Sequence, residues 1–286
     1  MSLFQTGPNR YQSRGVTMAG HDQYARINQQ TLTLVVGLVA VGLPTVLWIA
    51  AHLPSSNPMI GTCFRYSMSH FFYAPFWGTV FTGALVFIGA YLIVYQGEDA
   101  QNAENRLSTY AGLAAFGIAL FPTNGWGCDL SVFAARPFLV FDLTNNMPVP
   151  QGAFDPTTAF ALFPFASTIH YLSAAILFFF LGWFCFFVFT AVDDTQRRPD
   201  GKLTRVKVIR NIVYYVAGSV IVLAILIMGL SAIVQGVLGI PLPWWDAGNW
   251  TFWCEAAALI AFGVSWLVKG RVINWLEDKA HRYGRT

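Results

Sequence analysis

The stretch IVYYVAGSVIVLAILIMGLSAIVQGVLGI, residues 212–240, contains no charged side chain. The segment before it, DDTQRRPDGKLTRVKVIR at 193–210, is rich in both signs of charge. A helix needs roughly 20 apolar residues to cross the hydrocarbon core of a bilayer. The change of character near residue 211 therefore predicts a point where the chain enters a membrane.

The composition of the whole chain agrees with this interpretation. Of the 286 residues, 55% are hydrophobic and 11% are charged, whereas a soluble domain usually carries about 25% charged residues. An ordinary soluble domain and a disordered chain are both excluded. The net charge of +3 is too small to indicate nucleic acid as a partner. Membrane lipids and partner membrane proteins are the partners to expect.

Five further apolar stretches flank the first, so the sequence predicts an all-α bundle of six transmembrane helices. The predicted spans are Thr31–Leu53, Phe72–Tyr95, Leu107–Phe121, Phe160–Phe189, Ile212–Ile240 and Thr251–Val268. No stretch shows the alternation typical of a transmembrane strand. We expect the bundle to occupy residues 31–268, between an N-terminal tail at 1–30 and a basic tail at 269–286. A long loop is expected at about 122–159.

Lys and Arg are sorted by loop. Fifteen of the 17 fall in the two tails and in the second and fourth loops, and only Arg65 and Arg136 fall in the others. Because cytoplasmic loops carry an excess of Lys and Arg, both termini are predicted to be cytoplasmic, in the plasma (inner) membrane. Residues 1–30 lack the apolar core of a cleavable signal peptide.

Small residues within the spans are expected to let helices approach closely. The glycines expected at such contacts are Gly78, Gly83, Gly112 and Gly117. Cys185 and Cys254 lie within spans and are expected to be free thiols that fill space. Cys63 and Cys128 instead fall in outward-facing loops, where a disulfide can persist. We predict a Cys63–Cys128 bridge, with two unrelated thiols as the alternative.

Glu255 is the one acid placed well inside a predicted span, about one turn from its outward end. An acid inside a span is costly and needs a reason. His70 and His170 lie at a similar predicted depth, so we predict an outward-facing polar pocket around these three residues. Ser67, Ser69, Asp129 and Asp142 are its available neighbours. The alternative is an interfacial carboxylate that complements the start of a helix.

A metal site is a further alternative. Three histidines and one acid at one depth could bind zinc or another divalent ion: the candidates are His52, His70, His170 and Glu255. A haem held by paired histidines would use the same residues. The sequence contains no HExxH motif. No Lys or Arg lies inside a span, which excludes a retinal Schiff base and a voltage-sensing arginine ladder.

Four short stretches suggest a family. They are Ser67-Met-Ser-His70-Phe-Phe-Tyr, Ala119-Leu-Phe121-Pro122-Thr123, Ile169-His170-Tyr-Leu-Ser173, and Glu255 with Phe262-Gly-Val-Ser265-Trp266. With them the chain resembles bacterial six-helix membrane proteins, distantly similar to the Frag/DRAM/Sfk-like proteins. That resemblance implies a six-helix fold and no known activity. The chain is also similar, through Ser67, His70 and Asp129, to the alkaline ceramidase and adiponectin-receptor superfamily. It departs from that group in lacking a late His-x-x-x-His and a seventh span.

The function expected from these observations is non-enzymatic: an outward-facing pocket or docking surface for a lipid or a partner membrane protein. An intramembrane metal-dependent hydrolase using His70, His170 and Glu255 is the first alternative. A transporter or channel is the second. It is disfavoured because the sequence shows neither inverted repeats nor a polar stripe through the inner half of the spans.

The sorting of charge makes a direct prediction about topology. Reporter enzymes fused to either terminus should read as cytoplasmic, and a reporter inserted at about Asn145 should read as external, because basic loops are retained on the cytoplasmic side. Paired phosphatase and fluorescent-protein fusions measure this. An external reading at either terminus would contradict the six-span topology.

Overall fold

The computed structural model describes residues 15–53, 62–95, 103–121, 123, 141–142, 147–148, 165–192 and 196–270. Seven α-helices run through these segments: α1 Gly15–His52, α2 Pro75–Val94, α3 Ala103–Leu120, α4 Ala166–Trp183, α5 Arg205–Ala232, α6 Pro243–Ala247 and α7 Trp250–Lys269. Two of these helices, α4 and α5, continue into π-helical turns at Phe184–Val188 and Ile233–Val237. Two short strands, β1 Phe141–Asp142 and β2 Met147–Pro148, pair antiparallel. The all-helical fold class is therefore confirmed for the described part of the chain.

The six long helices form a closed ring. Each packs against the next in the order α1, α2, α3, α4, α5, α7, and α7 closes the ring against α1. The α7 helix also touches α4 across the ring. Helices α1, α3 and α5 end, and α2, α4 and α7 begin, at the same end of the ring. We call this end the Glu255 end.

Five helices in the described residues are long and apolar enough to cross a membrane. They are Thr31–His52, Phe76–Val94, Ala166–Val188, Arg205–Val237 and Trp250–Lys269. The remaining ring helix, α3, has 18 residues and places Glu104 and Arg106 in its first turns. Because these charges lower its hydropathy, α3 does not qualify as a span by composition. A membrane-embedded helical protein is thus indicated, and the sixth span remains a proposal.

Several helix ends differ from the predicted bounds. The first helix begins at Gly15, inside the segment expected to be a tail. The second begins only at Pro75, because residues 68–73 form a separate 3₁₀ helix. The fourth begins at Ala166 rather than Phe160. The predicted basic tail lies outside the described residues from residue 271 onward.

Glycines set the closest approaches between ring helices. A Cβ on Gly112 of α3 would lie 2.6 Å from the carbonyl oxygen of Gly89 on α2. A Cβ on Gly263 of α7 would lie 2.8 Å from the carbonyl oxygen of Gly37 on α1. A Cβ on Gly117 would meet the side chain of Ser173 on α4 rather than its backbone. The expectation for Gly83 is wrong, since nothing lies within 4 Å of the position that a Cβ would take there.

Aromatic side chains fill the end of the ring opposite to the Glu255 end. Trp266 of α7 is fully buried and packs against rings from α2 and from the end of α4. Its ring neighbours are Tyr91, Tyr95, Phe184, Phe189 and Phe262. Lys207, in the first turn of α5, is also buried there. Its ammonium donates to the carbonyl oxygens of Phe189, at 3.1 Å, and Ala191, which are free acceptors at the end of a helix.

Substituting Gly112 tests the ring. Gly112→Ala should destabilise the protein by about 1–3 kcal/mol, because the new methyl group must displace the α2 backbone. Gly83→Ala is the matched control and should leave stability unchanged or slightly raised, since Ala favours an exposed helix position. Thermal unfolding of both purified variants in detergent measures the difference. Equal melting temperatures would show that the α2–α3 approach is not close.

Candidate functional site

Residues 62–74 form an irregular segment that packs into the Glu255 end of the ring. Most of its side chains are buried, including those of Met68, Phe71 and Tyr73. These residues are referred to below as the 62–74 segment. It consists of extended chain followed by the 3₁₀ helix Met68–Tyr73. The main-chain N–H of Phe252, in the first turn of α7, donates to the carbonyl oxygen of Tyr66 at 2.9 Å.

The local sequence explains why this segment does not join α2. Ser67 caps the 3₁₀ helix, with its hydroxyl accepting from the main-chain N–H of Ser69 at 3.1 Å. At the other end, Pro75 is the first residue of α2 and disfavours helical backbone at the residue before it. Ala74 accordingly has φ −75° and ψ 133°, which is extended. The 3₁₀ helix is therefore a separate element held between a serine cap and a proline.

Glu255 of α7 binds the start of the 3₁₀ helix. Its carboxylate accepts a hydrogen bond from the Ser67 hydroxyl, which lies 2.9 and 2.8 Å from the two oxygens. It also accepts from the main-chain N–H of Met68 at 2.7 Å. Both groups are donors to a carboxylate, and hydrogen bonds to charged groups are among the stronger ones in proteins. Glu255 thus points into the protein at the 62–74 segment.

His170 of α4 binds the same segment from the other side. Its Nδ1 lies 2.6 Å from the carbonyl oxygen of Phe121, and its Nε2 lies 2.9 Å from the Ser69 hydroxyl. A carbonyl oxygen can only accept, so Nδ1 carries the hydrogen. In the neutral ring Nε2 is then the acceptor, and the Ser69 hydroxyl donates to it.

The structure therefore brings four of the residues predicted for the pocket onto one network. Glu255 binds Ser67, Ser69 donates its main-chain N–H to Ser67, and the Ser69 hydroxyl binds His170. Glu255 and His170 reach each other through the 62–74 segment rather than by facing one another.

The other predicted residues lie around this network. His70 is half-buried, and its ring centroid lies 6.4 Å from that of Tyr66. His52 ends α1, with Nδ1 2.8 Å from the carbonyl oxygen of Trp48 and its ring against Phe64. Asp142 is described only through its strand backbone.

No metal site forms among these residues. Within the described segments, no group of three or more His, Cys, Asp or Glu side chains could hold a metal ion. The divalent-metal alternative built on His52, His70, His170 and Glu255 therefore has no geometric support. The physical reason is that Glu255 and His170 are already occupied by serine, amide and carbonyl partners.

One part of the cysteine prediction is confirmed. Cys185 and Cys254 are free thiols, and the thiol of Cys185 lies 3.4 Å from the Ser265 hydroxyl. Cys128 lies outside the described residues, as do Asp129 and most of the long loop. The Cys63–Cys128 bridge therefore stays a prediction.

Two polar side chains of the 62–74 segment were not selected from the sequence. Arg65 is 2% exposed, its Nε donates to the Thr62 hydroxyl at 3.3 Å, and its guanidinium carbon lies 5.7 Å from the Phe71 ring centroid. The Tyr73 hydroxyl donates to the carbonyl oxygen of Thr123 at 2.6 Å.

Comparison with known proteins adds no relative. No family profile matches the chain, and no curated protein or solved structure is significantly similar to it. The resemblances expected from the short stretches thus remain expectations, and the site has to be interpreted from its own geometry.

Glu255 makes the sharpest test of the network. Glu255→Leu should destabilise the fold by about 1–3 kcal/mol for each buried donor left without an acceptor, namely the Ser67 hydroxyl and the Met68 N–H. Glu255→Gln keeps one acceptor oxygen and should cost less. Melting temperatures of the purified variants measure both effects. The exposed acid Asp246 provides the control, since Asp246→Leu removes no such acceptor. If Glu255→Leu melts like Asp246→Leu, Glu255 does not support the segment.

Proposed function

We propose that this chain is a six-span plasma-membrane protein, with both termini cytoplasmic, whose outward-facing Glu255 end binds the polar part of a membrane lipid. The observation that carries the proposal is the 62–74 segment. Irregular backbone at membrane depth is tolerated only where it is buried in protein or lines a cavity. The polar bonds of this segment are level with Glu255, the sixth residue of the α7 span.

The packing of α3 within the ring is an argument for a sixth span. The α3 helix packs between α2 and α4 as the other ring helices pack between their neighbours. Its 18 residues give a length of about 27 Å at 1.5 Å per residue, close to the roughly 30 Å hydrocarbon core. Glu104, in its first turn, accepts from the Tyr95 hydroxyl at 2.9 Å, so its charge is partnered at the end of the helix.

An apolar groove supports a lipid as the ligand. The groove has a volume of about 770 Å³ and lies between α3, α4 and α5. Among its lining side chains are Tyr110, Leu113, Ser173, Ile176, Phe180 and Ile225. A site for a lipid needs such a predominantly apolar lining.

The groove and the polar network lie close along α4. Ser173 lines the groove, and His170 lies one helical turn away on the same face, since positions three apart are neighbours on a helix. An acyl chain in the groove would therefore direct its polar end toward the 62–74 segment. Aromatic residues with polar tips surround that end: Tyr66, Tyr171, Trp250 and Trp253 are each at least 42% exposed. Such rings favour the membrane–water interface.

The predicted long loop fits the same function. A Cys63–Cys128 bridge would connect that loop to the 62–74 segment and place it over the proposed site. Metal-dependent hydrolysis is less favoured, because the acid and histidine it would need already bind Ser67, Met68, Ser69 and Phe121.

Filling the groove tests the proposal. Ala175 lines it and is exposed, so Ala175→Trp should occupy the groove without disturbing the core. Native mass spectrometry of the full-length protein in detergent, titrated with dioleoyl phosphatidylglycerol and dioleoyl phosphatidylethanolamine, counts bound lipids. Binding should fall by about tenfold, which corresponds to about 1.4 kcal/mol.

The matched control is Ala257→Trp, at an exposed position on α7 outside the groove lining. It should bind lipid as the unmodified protein does. Equal lipid occupancy in the two tryptophan variants would overturn the proposed site.

A further inference from the structure

The hydrogen bonds around Ser69 are more than the 62–74 segment needs to stay in place. Its hydroxyl lies 2.9 Å from Nε2 of His170, a residue 101 positions away in the chain. The other ring nitrogen, Nδ1, lies 2.6 Å from the Phe121 carbonyl oxygen. A nucleophile, a base within hydrogen-bond reach and a third group that orients the base are the three parts of an activated serine.

The Phe121 carbonyl decides how protons are placed. Since it can only accept, it keeps the hydrogen on Nδ1 and leaves the lone pair of Nε2 directed at the Ser69 hydroxyl. When Nε2 gains a proton, the imidazolium still donates from Nδ1 to the same carbonyl. The base is therefore oriented correctly in both of its protonation states, as in serine hydrolases that use a carboxylate for this purpose.

The Ser69–His170 pair is shielded from bulk water. His170 is 2% exposed and Ser69 is 8% exposed, so little bulk water competes for their hydrogen bond. The Glu255 carboxylate holds the preceding residues, through the Ser67 hydroxyl and the Met68 N–H. Glu255 is thus a positioning residue for Ser69.

We infer that Ser69 is a nucleophile and His170 its general base, in an acyl transfer from the carboxylic ester of a membrane lipid. The inference rests on the proposed lipid site and gives that site a chemistry, in place of the non-enzymatic role expected from the sequence. Ester linkages lie at the boundary between acyl chain and headgroup. The groove-lining residue Ser173 lies about one helical turn along α4 from His170, the hydrogen-bond partner of Ser69.

Each bond that forms in the acyl transfer is matched by a bond that breaks. The Ser69 Oγ forms a bond to the ester carbonyl carbon while its proton passes to Nε2 of His170. The carbon–oxygen bond to the alcohol part then breaks, and that oxygen takes the proton from His170. Water reverses the sequence: it gives a proton to His170, bonds to the acyl carbon, and releases the fatty acid as Ser69 regains its proton.

A fluorophosphonate probe tests the nucleophile directly. With an alkyl fluorophosphonate, the Ser69 Oγ should form a bond to phosphorus while the phosphorus–fluorine bond breaks and fluoride leaves. Full-length protein in detergent is treated with the probe, and the modified residue is located by peptide mass spectrometry. We expect the label on Ser69 in the unmodified protein, a result that requires no variant to fold.

Two variants separate chemistry from structure. His170→Asn can still donate to the Phe121 carbonyl but cannot act as the base, and it should slow labelling by about 100-fold, the lower range for a lost general base. Ser231→Ala is the control, because Ser231 is also 8% exposed and donates to a helix carbonyl, that of Met228. It should label at the unmodified rate.

The outcomes distinguish this inference from the proposed function. Absence of label on Ser69 in folded protein, or a labelling rate unchanged in His170→Asn, would overturn the inference even if lipid binding is retained. Label on Ser69 together with unchanged lipid binding in Ala175→Trp would support the nucleophile while rejecting the groove as its lipid site.

Discussion

Polar backbone inside a membrane protein must find hydrogen-bond partners within the protein, and the irregular 62–74 segment is subject to this requirement. It meets the requirement with groups from distant parts of the chain. Glu255 accepts from its 3₁₀ helix, His170 binds Ser69, and Phe252 donates to its extended part. Each of these partners lies at or near the start of a ring helix. The positions of α4 and α7 therefore depend on the segment as much as the segment depends on them.

The ring gives this arrangement its rigidity. Close glycine contacts hold α2 to α3 and α1 to α7, while the aromatic cluster around Trp266 fills the far end. At that end, buried Lys207 binds the carbonyl oxygens of Phe189 and Ala191, just after the π-helical turn that continues α4. With one end packed by aromatic rings, polar chemistry is concentrated at the other, where the 62–74 segment lies.

The sequence was informative wherever one residue differed from its surroundings. Apolar runs predicted five spans that meet the criteria of length and hydropathy, and Glu255 and His170 stood out as polar groups within such runs. Ser69 could be named only as an available neighbour of the pocket, because its bond to His170 depends on the Ser67 cap, on Pro75, and on a histidine 101 residues away. Gly83 shows the same limit. Hydropathy gives the depth of a residue but not its direction around the helix, so a glycine at a contact and one facing outward look alike.

The separation of 188 residues between Ser67 and Glu255 has a consequence for how the protein is made. At synthesis rates of about 5–20 residues per second, the segment is in place for roughly 10–40 s before its carboxylate partner emerges. During that interval α1 also lacks α7, so the ring is open and the donors of Ser67 and Met68 face water, lipid headgroups or the insertion machinery. Insertion of α7 then closes the ring and completes the site in one step. Chains truncated before α7 would lack both, which makes α7 a checkpoint for assembly.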